Sequence, residues 1–485
     1  MNRSSAARRR RDGDVGARDR LWLTTVFLGL LCLPSSPARS QAVASGRSRA
    51  LKLALPSEVV RGAPIEAIIR GAVPFGRVRV SVSREQRLDS GSVHDLPAGR
   101  ARFVSAATVQ ADAAGTVRLA QPRSTTSDAI DPLRWLWAAT PSMIPAASRD
   151  TIQRGLLRIE ASAARRRSVR GDVRLVGMRT GISARILRVD GLDGAYAVPA
   201  GAGQFATVIL LHGSEDGDSA SAMRSASRFA SHGFAALALN YFVWGSVRAN
   251  IPTALINVPV EMLDRAHDWL STEPTADTSR LGIVGVSKGA EFSLVVASAR
   301  IWPKAVVACV PSDVMWAGFG RELKPGERNA SWSLGGESLP FIPYDRYEDA
   351  LSGKLTAEIV HTRSRVLFAD SVERARIPVE RIRAPLLLLG GERDEVWPSA
   401  TMVRSIARDM KAHGSTTVLE IHTYPGAGHG ICGDGATPAA FSNGNELHTD
   451  HPPSREQTAA GGADAWRQTI TFLRAHLSPN SRGLP

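Results

Sequence analysis

"GIVGVSKGAEFSL", Gly282 to Leu294, sets Ser287 between two glycines in Gly285-Val286-Ser287-Lys288-Gly289. In a chain with 43 glycines such a pentapeptide is a weak signal by itself. Its surroundings strengthen it. "SRLGIVGV" before it reads as a buried strand, and "KGAEFSLVVASAR" after it reads as a helix. Strand, sharp turn and helix are the setting in which this motif presents a nucleophilic serine. The glycines leave room where a side chain would meet neighbouring backbone. The backbone N–H of Lys288, at the start of the helix, can face a developing oxyanion.

A serine hydroxyl needs a base, and the base needs an orienting acid, in the chain order Ser, Asp/Glu, His. "YPGAGHG" supplies His429 in a glycine-rich loop after a strand, and "LLLLGGERDEVWPS" supplies Asp394 after an apolar strand. Glu392 and Glu395 are rivals for the acid. His422 falls inside a strand, His232 precedes a helix-ending glycine, and His448 and His451 sit in a polar loop. The loop "LLHGSEDG" should give the second oxyanion donor, the Ser214 N–H first and Glu215 as the alternative. His212 is read as a buttress of that loop. The Lys288 side chain is read as pointing away from the serine rather than forming a Ser–Lys dyad.

Around these residues strands and helices alternate. "FATVILLHG", "FAALALNYF", "KAVVACVPS", "APLLLLGGERD" and "TTVLEIHTY" read as strands, most of them apolar throughout. "ASAMRSASRFASHG", "PVEMLDRAHDWLSTEP" and "AWRQTITFLRAHL" read as helices. That alternation predicts a mostly parallel sheet flanked by helices over residues 181–480. The less regular segment from Asp313 to Arg383 is read as a cover for the site. Residues 50–180 read differently. "RVRVSVSRE" alternates at period two, and "ARFVSAATVQADAAGTVRLA", "GLLRIEASA" and "DVRLVGM" continue as short strands. They predict an N-terminal immunoglobulin-like β-sandwich, with the tryptophans of "PLRWLWAATP" in packing roles.

The chain has 485 residues, 43% hydrophobic and 22% charged, a globular profile with ample core. The net charge of +14 arises partly from leader arginines and is otherwise scattered, without a basic run interleaved with aromatics. Nucleic acid is therefore not an expected partner. Residues 1–42 combine a basic segment, the apolar run "LWLTTVFLGLLCLP" and small residues suited to cleavage, the pattern of a secretory signal peptide. The expectation is an exported protein, periplasmic or secreted, with no stable membrane span after processing; an uncleaved leader would anchor it instead. Of three cysteines, Cys32 lies in the leader, and Cys309 and Cys432 are expected as free thiols. No cofactor and no metal site are expected.

"VGVSKGAE", "HGFAALALNYF", "GGERDEVWPS", "YPGAGHGI" and "DAWRQTITFL" together resemble the acyl-CoA thioesterase and bile acid-CoA:amino acid N-acyltransferase family. The resemblance runs from about residue 55 to 478. It implies an α/β-hydrolase domain behind a β-sandwich and an acyl-enzyme formed from a small-molecule acyl thioester. It carries the family triad onto Ser287, Asp394 and His429. Members that conjugate amino acids tend to use cysteine as nucleophile, so Ser287 points to hydrolysis. The leader peptide and the polar segment "CGDGATPAAFSNGNELHTDHPPS" depart from the family. They point to an alternative, an exported carboxylesterase or acyltransferase that does not use coenzyme A.

Overall fold

The computed structural model describes residues 50–63, 65–88, 99–119, 142–145, 152–153, 155–245, 249–320, 328–433 and 453–478. The expected signal peptide, the tryptophans of "PLRWLWAATP", and His448 and His451 lie outside the described residues.

Eight strands form the central sheet: β1 (Ser183–Val189), β2 (Leu192–Val198), β3 (Phe205–Leu211), β4 (Ala235–Leu239), β5 (Ala276–Val286), β6 (Ala305–Cys309), β7 (Leu386–Gly391) and β8 (Leu419–Tyr424). Their spatial order is β1-β2-β4-β3-β5-β6-β7-β8. The first two strands form a hairpin, and β2 runs antiparallel to β4; every later pairing is parallel. This is the α/β-hydrolase fold.

The inner strands β3, β4, β6 and β7 are nearly all apolar because both faces of the sheet are covered there. Successive residues serve opposite layers. Ile209, Ile283, Val306 and Leu388 belong to one core, and Val208, Val284, Val307 and Leu389 to the other. Helices α2 (Glu261–Thr272), α3 (Lys288–Ala299) and α4 (Ser399–Ala412) cover the first face through Leu263, Phe292 and Ile406. Helices α1 (Ser219–Ser231) and α5 (Arg455–His476) cover the second through Phe229, Trp466 and Leu473.

The chain reverses direction across the sheet between β3 and its two neighbours, β4 and β5. Ligands of open α/β sheets bind at the carboxyl ends beside such a reversal. Leu211 pairs with Gly285, so the loops after β3 and β5 emerge side by side.

Ahead of this sheet, strands between Lys52 and Val176 form a three-stranded and a six-stranded sheet. They share one core that includes Ile69, Val78, Val80, Phe103, Leu157 and Ile159. Val78, Val80 and Val82 face inward as their period-two pattern requires. The sandwich meets the hydrolase sheet's helices: the Trp466 indole donates to the Gly62 carbonyl at 3.1 Å, and Ala459 enters the sandwich core.

The segment between β6 and β7 carries short helices Tyr347–Leu351, Ala357–Leu367 and Ala369–Ala375 and a small strand pair. Its Trp316, Tyr344 and His361 pack with Trp397. None of its described residues lines the cavity that holds Ser287 and His429.

Gly289 fixes how closely α3 lies on β3. A Cβ there would sit 2.3 Å from the His212 carbonyl oxygen and 2.5 Å from that of Leu211. Gly289→Ala is therefore expected to lower stability by about 1–3 kcal/mol through overpacking. At Gly177 an added methyl meets nothing within 4 Å, and Gly177→Ala should stay within about 1 kcal/mol of wild type. Denaturant midpoints of the two variants check the contrast.

Candidate active site

Ser287 links β5 to α3 with φ 54° and ψ −120°, a left-handed backbone that an L-residue holds only under strain. Gly285 makes the turn sterically feasible: a Cβ there would lie 2.1 Å from the Gly289 carbonyl oxygen. The Ser287 N–H donates to the Cys309 carbonyl at 2.9 Å, and its own carbonyl accepts from Ala290 and Glu291. The serine is thus clamped by the next strand on one side and by the helix on the other.

The Ser287 hydroxyl lies 2.9 Å from His429 Nε2. His429 Nδ1 lies 2.9 Å from each carboxylate oxygen of Asp394. Asp394 Oδ1 also accepts the N–H groups of Val396 and Trp397, which fixes the carboxylate. With Nδ1 donating to Asp394, Nε2 is left to accept from the hydroxyl. The rival acids have other partners. Glu392 pairs with Arg404, and Glu395 accepts the His429 backbone N–H at 3.0 Å. Among the three carboxylates, Asp394 is the one at the ring.

Burial of the His429 ring favours its neutral form, but the charge and hydrogen bond of Asp394, aided by Glu395 and Glu215, outweigh it. The histidine titrates above the ordinary imidazole value. Burial pushes the Glu395 carboxyl up. The Trp397 ring stands edge-on to the imidazole at 5.7 Å and holds its plane.

Lys288 is the first residue of α3, where backbone N–H groups have no intrahelical acceptor. Its side chain is buried and bonds Glu291 at 2.7 Å, so no Ser–Lys pair forms. Ser214 lines the cavity together with Ser287 and His429. The loop is stiffened from below. The Tyr241 hydroxyl bonds the His212 and Gly213 carbonyls, and the His212 ring stacks on Tyr241 at 4.3 Å. Burial lowers the His212 pKa, against the opposing pull of Glu215. Glu215 accepts the Gly213 N–H at 3.1 Å, a local contact that sequence reading missed.

Cys309 and Cys432 form a disulfide. The expectation of free thiols was wrong. They are 123 residues apart in sequence, and only the sheet order brings the end of β6 beside the histidine loop. A cavity of about 710 Å³ runs from Ser287 and His429 between the sheet and helices α1 and α5. Its lining includes apolar Leu210, Val284, Val307, Phe229 and Trp466 and the charged residues Glu215, Asp216, Asp218 and Arg228. Among the described residues, no group of three His, Cys, Asp or Glu is placed to hold a metal ion. No described helix is long and apolar enough to cross a membrane.

Residues 258–479 match the family described as BAAT / Acyl-CoA thioester hydrolase C terminal. That match covers the C-terminal part of the hydrolase sheet and its helices, a little under half of the chain. It is 26% identical over 312 residues to the human protein named acyl-coenzyme A thioesterase 2, mitochondrial, covering 63% of this chain and 59% of that protein. It is 26% identical over 316 residues to the mouse acyl-coenzyme A amino acid N-acyltransferase 1, covering 61% of this chain and 66% of that protein. Among solved structures, a puromycin-hydrolyzing peptidase of Mycobacterium tuberculosis superposes with a TM-score of 0.42 at 16% identity, over 67% of this chain and 46% of that one. The chain thus matches a relative named as a thioesterase and one named as an N-acyltransferase at the same identity.

The raised His429 pKa has a sign that can be checked. A neutral imidazole accepts the serine proton, so labelling of Ser287 by a fluorophosphonate should rise with pH, with a midpoint above about 6.5. The ion pair stabilises the fold fully below the unfolded imidazole pKa, and that contribution fades as pH rises through the folded value. Asp394→Asn leaves burial unopposed by the ring's main partner. The midpoint should fall below that of wild type, and the labelling rate should drop by roughly 10³- to 10⁴-fold.

Proposed function

We propose that this protein is a serine hydrolase that cleaves an acyl thioester to a free acid and a thiol. The observation that carries the reading is the continuous hydrogen-bonded path from the Ser287 hydroxyl through His429 to Asp394, on a strained strand-to-helix turn.

In this reading Ser287 Oγ attacks the acyl carbonyl carbon as its proton passes to His429 Nε2. The resulting oxyanion faces the backbone N–H groups of Lys288 and Ser214, where donors fixed in advance stabilise charge that develops only in the transition state. Asp394 stabilises the imidazolium without taking its proton. The C–S bond breaks, the sulfur leaves with the proton from His429, and the acyl group remains as an ester on Ser287. Water attacks that ester with His429 again as base. The acid is released and Ser287 regains its proton. The apolar lining of the cavity suits the acyl portion.

A second reading is favoured by two observations. The Cys309–Cys432 disulfide suits an oxidising compartment, and the cavity lining carries three carboxylates, Glu215, Asp216 and Asp218, against one arginine. Both fit an exported esterase acting on an ester or thioester without coenzyme A, as does the signal-like sequence pattern expected over residues 1–42. The N-terminal sequence and cell fraction of the native protein would test export directly.

Thiol release from acyl-CoA and from the phosphate-free N-acetylcysteamine thioester of the same acyl chain should be measured beside alcohol release from short esters. Ser287→Ala should lower every active rate by at least about 10³-fold. Equal rates in the variant and wild type would overturn the serine mechanism. A strong preference for the phosphate-free thioester or the oxyester over acyl-CoA would favour the second reading over the first.

A further inference from the structure

The mechanism above makes no use of Cys309 or Cys432, yet the disulfide joins the two halves of the site. Cys309 ends β6 and pairs in register with Val286, the residue before the nucleophile. Its carbonyl accepts the Ser287 N–H at 2.9 Å. Its sulfur is bonded to Cys432, three residues after His429. One residue therefore holds the serine through its backbone and the histidine loop through its side chain.

The loop needs such a hold. "PGAGHGICG" places glycines at 426, 428, 430 and 433, and Gly426 and Gly433 take positive φ. A chain this rich in glycine has little stiffness of its own. Upstream of the histidine the loop is tied by Arg393 N–H to the Ala427 carbonyl and by Gly428 N–H to Thr458 Oγ1. Ile431 is buried in the core under α5. Past it, the disulfide is the covalent tie, and both sulfur-bearing residues line the cavity that holds Ser287.

We propose that Cys309 and Cys432 are positioning residues: their disulfide clasps the histidine loop to the strand beside the nucleophile and holds His429 Nε2 on the Ser287 hydroxyl. The inference rests on the serine-hydrolase reading of the site. Opening the clasp leaves the substrate pocket in place but lets the base drift from the nucleophile, so turnover suffers and substrate binding does not.

The test reduces the folded wild-type protein with dithiothreitol at a temperature well below unfolding. In balance, the dithiol is oxidised to its cyclic disulfide while Cys309 and Cys432 become thiols, and thiol titration confirms the two new groups. kcat is expected to fall by about tenfold to a hundredfold, the usual cost of a misplaced catalytic group, with KM changed less than about twofold. The rate of Ser287 labelling by a fluorophosphonate should fall in step, and reoxidation should restore both. Cys309→Ser, Cys432→Ser and the double variant should each match reduced wild type, because either cysteine alone makes no clasp.

A reduced protein that melts at lower temperature but keeps kcat and labelling rate would overturn the proposal and leave the disulfide a structural staple. The labelling rate needs no substrate. If wild type hydrolyses no ester or thioester while its labelling still depends on the disulfide, the function proposed above fails and the clasp stands.

Discussion

The site depends on the close approach of α3 to the end of β3. Gly289 lets the helix backbone touch the carbonyls of Leu211 and His212, and Gly285 lets the helix turn back over β5. Without both contacts the chain could not pass from strand to helix in one residue, and Ser287 would have no reason to adopt a positive φ. The strain at that residue is held by bonds on every side: Cys309 from the neighbouring strand, Ala290 and Glu291 from the helix. The fold's free energy of packing thus maintains a local conformation that the residue would not choose.

That geometry also determines what must be supplied from elsewhere. A serine raised at the carboxyl edge of β5 can meet only what the neighbouring loops deliver. The loop after β3 arrives on one side because Leu211 pairs with Gly285. The acid and the base arrive from β7 and β8, whose register brings Gly391 beside Tyr424. Asp394 and His429 lie 35 residues apart in sequence yet hydrogen-bond through both carboxylate oxygens. Their burial raises the cost of charge, and the contact offsets it, so the imidazole is both oriented and more basic.

Much of this was legible in the sequence because it rests on local patterns. The apolar runs of β3, β5, β6 and β7 marked strands buried on both faces. The alternation of Val78, Val80 and Val82 marked a half-buried strand in the sandwich, and the glycine spacing around Ser287 marked the turn. Asp394 and His429 could be named because each follows a strand in the required order, although Glu392 and Glu395 could be ranked below Asp394 only by weight of argument. What the sequence hid was non-local. The pairing of Cys309 with Cys432 depends on strand order, as does the cavity between the sheet and α1 and α5. The insertion from Asp313 to Arg383 read as a cover, but its described residues do not line the cavity, and its His361 ring stands edge-on to Trp397. The side-chain contact of Glu215 with the Gly213 N–H is a turn detail that no periodicity encodes.

The apolar and the charged parts of the cavity lining make different demands on a substrate. The apolar part offers surface from both the sheet and the helices, which favours a hydrocarbon acyl group and discriminates little between similar chain lengths, since one methylene is worth about 1 kcal/mol. Selectivity therefore falls to the leaving group and the charged lining. There Asp216 bonds the backbone N–H groups of Gly217 and Trp244, and Asp218 caps α1 by accepting from Ala220 and Ser221. These carboxylates are fixed by structural duties and cannot swing away from an approaching anion. A leaving group bearing several phosphates would meet that field within a Debye length of about 8–10 Å, with Arg228 as the countering charge on the cavity wall. A neutral or cationic leaving group would meet no such barrier.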